Sequence, residues 1–340
     1  MRIFSLNFTN RLGVDLGSSR TRIWTDKKGL VVDEATCLAV DTRARQVLAV
    51  GDEAVEMVGR VGKHIKVVYP IRRGVVFDLE YARIFVRNLL DQAVGRSFLT
   101  PSVMVSMPAS STKVDQQIVV DLFQSLGMGE VSIIAQPLAA IIGAGVPVAD
   151  ASGAFILQMG AGVVEGAVVS LGSMVAWEST LRAGFEADLL LQKSLRQGQK
   201  TLVSFEDCEE IKQRVGSVFL NDVQPSFAVT GKSLDDNAPT ELLVNSLMIA
   251  EPFLKLAERY DELLKRLLAK IPPELTTDII DKGLLLSGGW SRLTGLEDWL
   301  IKKLGVPVSV VEEPDRAVIE GIATVSQHLE MFKSSLGYRN

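Results

Sequence analysis

Apolar positions in this chain follow two periods. At residues 12–16 an apolar run, Leu-Gly-Val-Asp-Leu, predicts a strand; Gly17-Ser18-Ser19 predicts a tight turn, and residues 21–25 a return strand. The same unit recurs about 140 residues later, with a strand at 154–159, the turn Gly160-Ala161-Gly162 and a return strand at 163–170. Two halves of similar build follow from this repeat. A further strand at 283–287 runs into Gly288-Gly289. Between these stretches the period is helical: 79–94 with Ile84, Phe85, Leu89 and Leu90; 111–126, ended by Gly127; a helix opened by Pro137; 206–216; 244–268; and 293–304 with leucines at 293, 296, 300 and 304. Strands alternating with helices predict an α/β protein.

Composition narrows the classes. A length of 340 residues suits two domains, and 47% hydrophobic with 23% charged residues is a globular balance. Net charge is −5 with no basic block, which argues against nucleic acid as the main partner. Two distant cysteines, Cys37 and Cys208, and two histidines offer no zinc spacing, no disulfide framework and no histidine triad. The longest apolar stretch, 138–149, holds Gly143, Gly145 and Pro147 and falls short of the roughly 20 residues a membrane span needs. The first eight residues read as too short and too polar for a signal peptide; Phe4 and Leu6 there form either one side of a weak apolar face or part of a frayed end.

A Gly/Ser turn between strands aims several backbone N–H groups one way and so makes an anion cradle. One such turn is usually an ordinary hairpin; two in register, with the late Gly288-Gly289, point to a phosphate chain. Asp15, just before the first turn, is suited to hold magnesium through water. Neither a P-loop nor a G-x-G-x-x-G fingerprint is present.

Asp15-Leu-Gly-Ser-Ser-Arg-Thr resembles the first phosphate motif of the actin superfamily. Val50-Gly-Asp-Glu-Ala, Tyr69-Pro, Gly74-Val-Val-Phe-Asp and Gln136-Pro-Leu-Ala-Ala resemble the MreB family's version of the first half; Cys208-Glu-Glu-Ile-Lys, Leu284-Leu-Leu-Ser-Gly-Gly and Glu313-Pro resemble that of the second. The likeness keeps its order over nearly the whole chain. It implies an actin-like fold, with two α/β domains, each bearing a smaller subdomain, around a nucleotide cleft. Domain I would be 1–150 plus 315–340 (subdomain about 33–75), and domain II 151–314 (subdomain about 196–250). It further implies ATP and magnesium as cofactors. Asp15, Gly17, Ser18, Ser19 and Thr21 would form the first phosphate site, with Asp15 on the metal through water. Gly160, Ala161 and Gly162 would form the second. Glu209 and Lys212 would lie at the adenosine, Gly288 and Gly289 beside the nucleotide, and Gln136 would position water. By their spacing alone Glu209 and Lys212 read as a solvated i,i+3 pair. Implied partners are further copies of the chain in paired protofilaments, the inner membrane surface, and cell-envelope or other filament proteins. The implied location is cytoplasmic, peripheral at the inner face of the cell membrane. Phe98 and Leu99 match a membrane-inserting loop of the family, or else cap the core.

The sequence departs from the family at the second turn. Where the family has Asp-hydrophobic-Gly-Gly-Gly-Thr, this chain has Gln158-Met-Gly-Ala-Gly-Val163. An amide brings no negative charge to a metal-bound water, and a valine donates no hydrogen bond. Phe185 stands where close backbone approach is expected. Weakened binding and slow or lost hydrolysis follow, unless Glu165 or Glu186 supplies the carboxylate. The leading expectation is therefore a filament protein that guides cell shape or envelope growth. The alternatives are a nucleotide-independent scaffold or adaptor co-assembling with another filament protein, and, behind it, a small-molecule kinase of the same superfamily.

Overall fold

The computed structural model describes residues 11–58, 62, 64–94, 100–219, 226–329 and 332. They fall into two compact units, Met1–Asp150 with Arg316–Asn340, and Ala151–Asp315. Each is built on a five-stranded main sheet. In the first unit the strands are β1 Arg11–Leu16, β2 Arg20–Thr25, β3 Gly29–Ala35, β4 Ser102–Met107 and β5 Val131–Ala135. In the second they are β6 Ala154–Met159, β7 Val164–Ser170, β8 Ser173–Thr180, β9 Leu284–Ser287 and β10 Val308–Val310. The strand orders are β5-β4-β1-β2-β3 and β10-β9-β6-β7-β8. In both, the first strand is central, antiparallel to the second and parallel to the fourth. Even the turn registers agree: the closing pairs Leu16↔Thr21 and Met159↔Val164 each enclose four residues.

Each unit also carries a three-stranded sheet. One is made of Leu38–Asp41, Gln46–Val50 and Ile65–Val68, the other of Thr201–Leu202, Phe227–Ser233 and Pro239–Val244. The helices of eight or more residues are α1 Leu79–Val94, α2 Lys113–Ser125, α3 Gln136–Gly143, α4 Gly184–Gly198, α5 Phe205–Val215, α6 Ser246–Leu268, α7 Leu296–Leu304 and α8 Ala317–Gln327.

Local chemistry sets several boundaries. Thr112 and Asp115 form a reciprocal capping box at the start of α2. Its end is a Schellman motif, with Gly127 N–H on the Gln124 carbonyl and Met128 N–H on that of Phe123. On α1 the buried stripe is Ala82, Phe85, Val86, Leu89, Leu90 and Ala93; Ile84, one position off it, faces solvent. The helix expected from residue 293 begins at Leu296. A 3₁₀ turn at Gly289–Arg292 and a left-handed Gly295 (φ 78°) hold the preceding residues out of the α conformation. Sequence periodicity also missed α4 and α8. The buried stripe of α4 includes the charged Asp188, and the polar face of α8 is only Glu320, Thr324 and Gln327.

The first unit's core packs α1 and α2 residues such as Phe85, Leu89 and Phe123 against Val14, Ile23 and Val105 of the sheet. In the second, Phe253, Leu256, Tyr260, Leu263, Leu264 and Leu267 of α6 join Phe155, Leu157 and Leu286. Each such fully buried side chain contributes about 1.5–3 kcal/mol.

Helices α3 and α8 cross so closely that neither crossing residue tolerates a side chain. A Cβ at Gly143 would fall on the Ala317 carbonyl oxygen, and one at Gly321 on that of Ala139. Gly321→Ala therefore costs stability despite alanine's better helix propensity of about 1 kcal/mol. Gly198→Ala, at a helical glycine with open space around it, raises stability by up to about 1 kcal/mol. Urea unfolding of the two variants is expected to move in opposite directions.

Candidate functional site

In the first unit the turn after β1 is pinned from one side. Thr36 donates its hydroxyl to the Gly17 carbonyl (2.8 Å) and its amide to the Ser19 carbonyl (2.8 Å). Thr21 is buried with its hydroxyl 2.9 Å from that of Thr36, so it braces the turn from below. The Ser18 hydroxyl accepts from the Gly74 amide at 2.8 Å. The Gly17 and Ser19 carbonyls are engaged, and the amides of Ser18 and Ser19 have no acceptor among the described residues. Arg20, next in line, binds Asp33 (2.6 Å) and grips Asp52 with both terminal nitrogens (3.0 and 3.1 Å). The Gly51-Asp-Glu-Ala motif is thus fastened to the main sheet.

Asp15 is the penultimate residue of β1, just before the turn, and is buried. The Ser106 hydroxyl donates to it at 2.7 Å, and Arg22 stands 4.0 Å away. Burial outweighs both partners and raises its pKa above the ordinary carboxylate value. Gln136 is the first residue of α3; it is largely buried, and its amide makes no hydrogen bond among the described residues.

The second unit repeats this geometry with different chemistry. Gln158 occupies the register position of Asp15, and Ser287 that of Ser106, since Asp15↔Ser106 and Gln158↔Ser287 are equivalent parallel pairs. The Ser287 hydroxyl donates to Gln158 Oε1 at 2.6 Å. Opposite Gln158, where the first unit has Arg22, stands the fully buried Glu165. Glu186 is on α4 and ion-paired with Arg182.

The turn Gly160-Ala161-Gly162 is fixed by the start of α4. The Gly184 amide donates to the Gly160 carbonyl (3.2 Å) and the Phe185 amide to that of Ala161 (2.9 Å). Ala161 and Gly162 amides have no acceptor among the described residues. The Phe185 ring turns aside to pack on Phe205, 6.0 Å between centroids. Gly288 (φ 85°) is tied to the Pro314 carbonyl at 2.6 Å, and a Cβ there would fall on the Met159 carbonyl; Gly289 is open on its Cα side.

Glu209 sits half-buried on α5 and accepts from Gln213 at 3.5 Å. Lys212 is neither solvated nor paired with Glu209. Its Nζ lies 2.8 and 2.9 Å from the two oxygens of the buried Asp188 and 3.3 Å from the Gly184 carbonyl, with Trp290 beneath it at 5.4 Å. The Trp290 indole N–H donates to the Tyr260 hydroxyl at 2.8 Å. Reading the sequence missed Asp188, although a lone carboxylate inside Ala187-Asp-Leu-Leu-Leu was the available signal. Phe4, Leu6, Phe98 and Leu99 lie outside the described residues. No described helix is long and apolar enough to cross a membrane, and no described cluster of three His, Cys, Asp or Glu could hold a metal.

Two sheets of one topology, each ending its central strand in an amide-lined turn, is an actin-like arrangement, and comparison narrows it. A family model described as MreB/Mbl protein matches residues 9–334. The chain belongs to the MreB/Mbl family. It is 31% identical over 335 residues to the cell shape-determining protein MreB of Escherichia coli (strain K12), covering 97% of this chain and 96% of that one. MreB5 of Spiroplasma citri, solved bound to ADP, superposes with a TM-score of 0.89 at 23% identity over 95% of this chain and 99% of that one. A MamK double helical filament gives a TM-score of 0.78 at 19% identity over 94% and 99%. The fold of this MreB/Mbl chain is thus actin-like.

Burial pushes the Asp188 carboxyl up to about 6 from the ordinary 3.8, against the opposing pull of Lys212. Because the folded value is the higher one, this group's contribution to stability grows as pH falls through about 6 and is complete below 3.8. Lys212→Met removes the opposing cation. It is expected to cost about 3–5 kcal/mol near pH 7.5. The gap to the parent protein narrows at pH 5.5, where Asp188 takes up a proton. Urea unfolding of both proteins at the two pH values checks this.

Proposed function

We propose that this chain is a cytoskeletal protein of cell shape that binds ATP, assembles with itself into paired protofilaments, and hydrolyses nucleotide slowly or not at all. The observation that carries the nucleotide reading is the pair of equivalent turns whose amides, Ser18 with Ser19 and Ala161 with Gly162, have no acceptor among the described residues. Unpaired N–H groups at a strand-end turn fit phosphate oxygens. Spiroplasma citri MreB5 was solved with ADP and with AMPPNP, and MamK as a double helical filament. These support the same reading here, as does the cell shape-determining role named for Escherichia coli MreB.

Asp15 is the carboxylate suited to hold a magnesium-bound water, and the Gln136 amide is suited to orient an attacking one. Magnesium would supply charge neutralisation of the phosphates. The second unit lacks the matching carboxylate: Gln158 keeps the hydrogen bond to Ser287 but carries no charge. Neither Gln136 nor Gln158 can accept the proton that hydrolysis releases, which is the reason for proposing slow turnover. Attachment at the inner face of the cell membrane through Phe4, Leu6, Phe98 and Leu99, and contact with envelope or other filament proteins, rest on the sequence resemblance alone. Gln158 and Val163 favour a second reading, a scaffold whose assembly ignores nucleotide.

Pelleting with electron microscopy, with and without ATP and magnesium, while phosphate release is followed, tests these readings. Filaments that require ATP, with release far below an ordinary actin-like rate, are expected. Gln158→Asp with Val163→Thr is expected to raise release at least tenfold. Ordinary turnover by the unaltered chain would overturn the reading of Gln158 and Val163, and filaments indifferent to nucleotide would establish the scaffold.

A further inference from the structure

Lys212 sits where the family resemblance expects an adenosine contact, yet its ammonium is engaged by groups of its own unit. A lysine ammonium has three N–H bonds. Two of those of Lys212 go to Asp188 Oδ2 at 2.9 Å and the Gly184 carbonyl at 3.3 Å, while Asp188 Oδ1 stands 2.8 Å from the ammonium in the ion pair. Its side chain is 11% exposed and that of Asp188 is fully buried.

What Lys212 does hold is the start of α4. Gly184 and Phe185 there donate to the Gly160 and Ala161 carbonyls. A trans peptide is planar, and its C=O and N–H point opposite ways. The Gly160 carbonyl shares a plane with the Ala161 amide, and the Ala161 carbonyl with the Gly162 amide. Drawing both carbonyls toward α4 therefore aims both amides away from it, toward the open side of the turn. Spacing is tight enough to transmit a shift: a Cβ at Gly184 would lie 3.2 Å from Ala161 Cα and 3.7 Å from Lys212 Nζ.

We infer that Lys212 is a positioning residue for the second turn, acting through Gly184 to fix the direction of the Ala161 and Gly162 amides. This rests on the proposed nucleotide binding. The chain of action runs from the buried Asp188–Lys212 pair to the Gly184 carbonyl, then through the two N–H donors of α4 to the turn. Asp188 is the anchor that keeps the ammonium in place.

The test separates phosphate from nucleoside. Lys212→Met alone leaves a buried carboxylate and endangers folding, so the informative variant is Lys212→Met with Asp188→Leu, which replaces both charges by apolar groups of similar shape. Thermal melting shows that it folds. Calorimetric titrations with ATP and with adenosine then compare it with the parent protein. ATP affinity is expected to fall at least tenfold, while adenosine affinity stays within twofold. Unchanged ATP affinity would overturn the inference, and an equal fall for ATP and adenosine would make Lys212 a nucleoside contact. A parent protein that binds ATP no better than adenosine would remove phosphate recognition itself, and with it the reading on which this inference rests.

Discussion

A central strand hydrogen-bonded on both sides has little freedom at its carboxyl end, and that constraint organises the candidate site in each unit. β1 and β6 pair antiparallel with a hairpin partner on one side and parallel with a later strand on the other. The hairpin must reverse in four residues, and the parallel neighbour ends beside it. The turn therefore stands at the carboxyl ends of the central strand and its parallel neighbour, the edge at which open α/β sheets bind ligands. Its carbonyls are drawn to one side, by Thr36 in the first unit and by the α4 amides in the second. The amides of Ser18 and Ser19, and of Ala161 and Gly162, are what remains among the described residues.

This skeleton was legible because it is local. Gly17-Ser18-Ser19 and Gly160-Ala161-Gly162, each flanked by apolar runs, reveal turn and strands within about fifteen residues, and their recurrence reveals the repeat. Helices with one apolar stripe or a strong stop, such as α1 and α2, were legible for the same reason. The helices α4, with a buried aspartate in its stripe, and α8, with a narrow polar face, were not. The divisions of the structure at Asp150 and Asp315 stand beside the sequence's expectation of 150 and 314. That expectation came from resemblance to a family, since no composition shift marks either point.

What stayed hidden is long-range in sequence. Ser106 carries no motif, and the motif around Ser287 gave no role for its hydroxyl, yet each completes the polar group on its central strand by standing at the matching register position of a parallel neighbour. Lys212 and Asp188 lie on different helices, and a reading along one helix could only set Lys212 against Glu209. The motif Gly51-Asp-Glu-Ala was visible as a resemblance but not as a mechanism. Its aspartate is the far end of the Arg20 clamp, and that end becomes identifiable only when the small sheet is folded against the main one.

The two units differ most where their geometry differs least. Ser106 to Asp15 is 2.7 Å and Ser287 to Gln158 is 2.6 Å, in the same register on the same kind of strand. An oxygen acceptor is all the fold requires at that position, and carboxylate and amide both supply one. Charge is a separate matter. Across the hairpin the first unit places Arg22 opposite a carboxylate, whereas the second places Glu165 opposite an amide. The backbone register is therefore nearly blind to the exchange of carboxylate for amide. A superposition as close as the one with MreB5 measures the shared hydrogen-bond skeleton and not the turnover built on it. The proposed slow turnover rests on side chains such as Gln158, whose charge the backbone does not record.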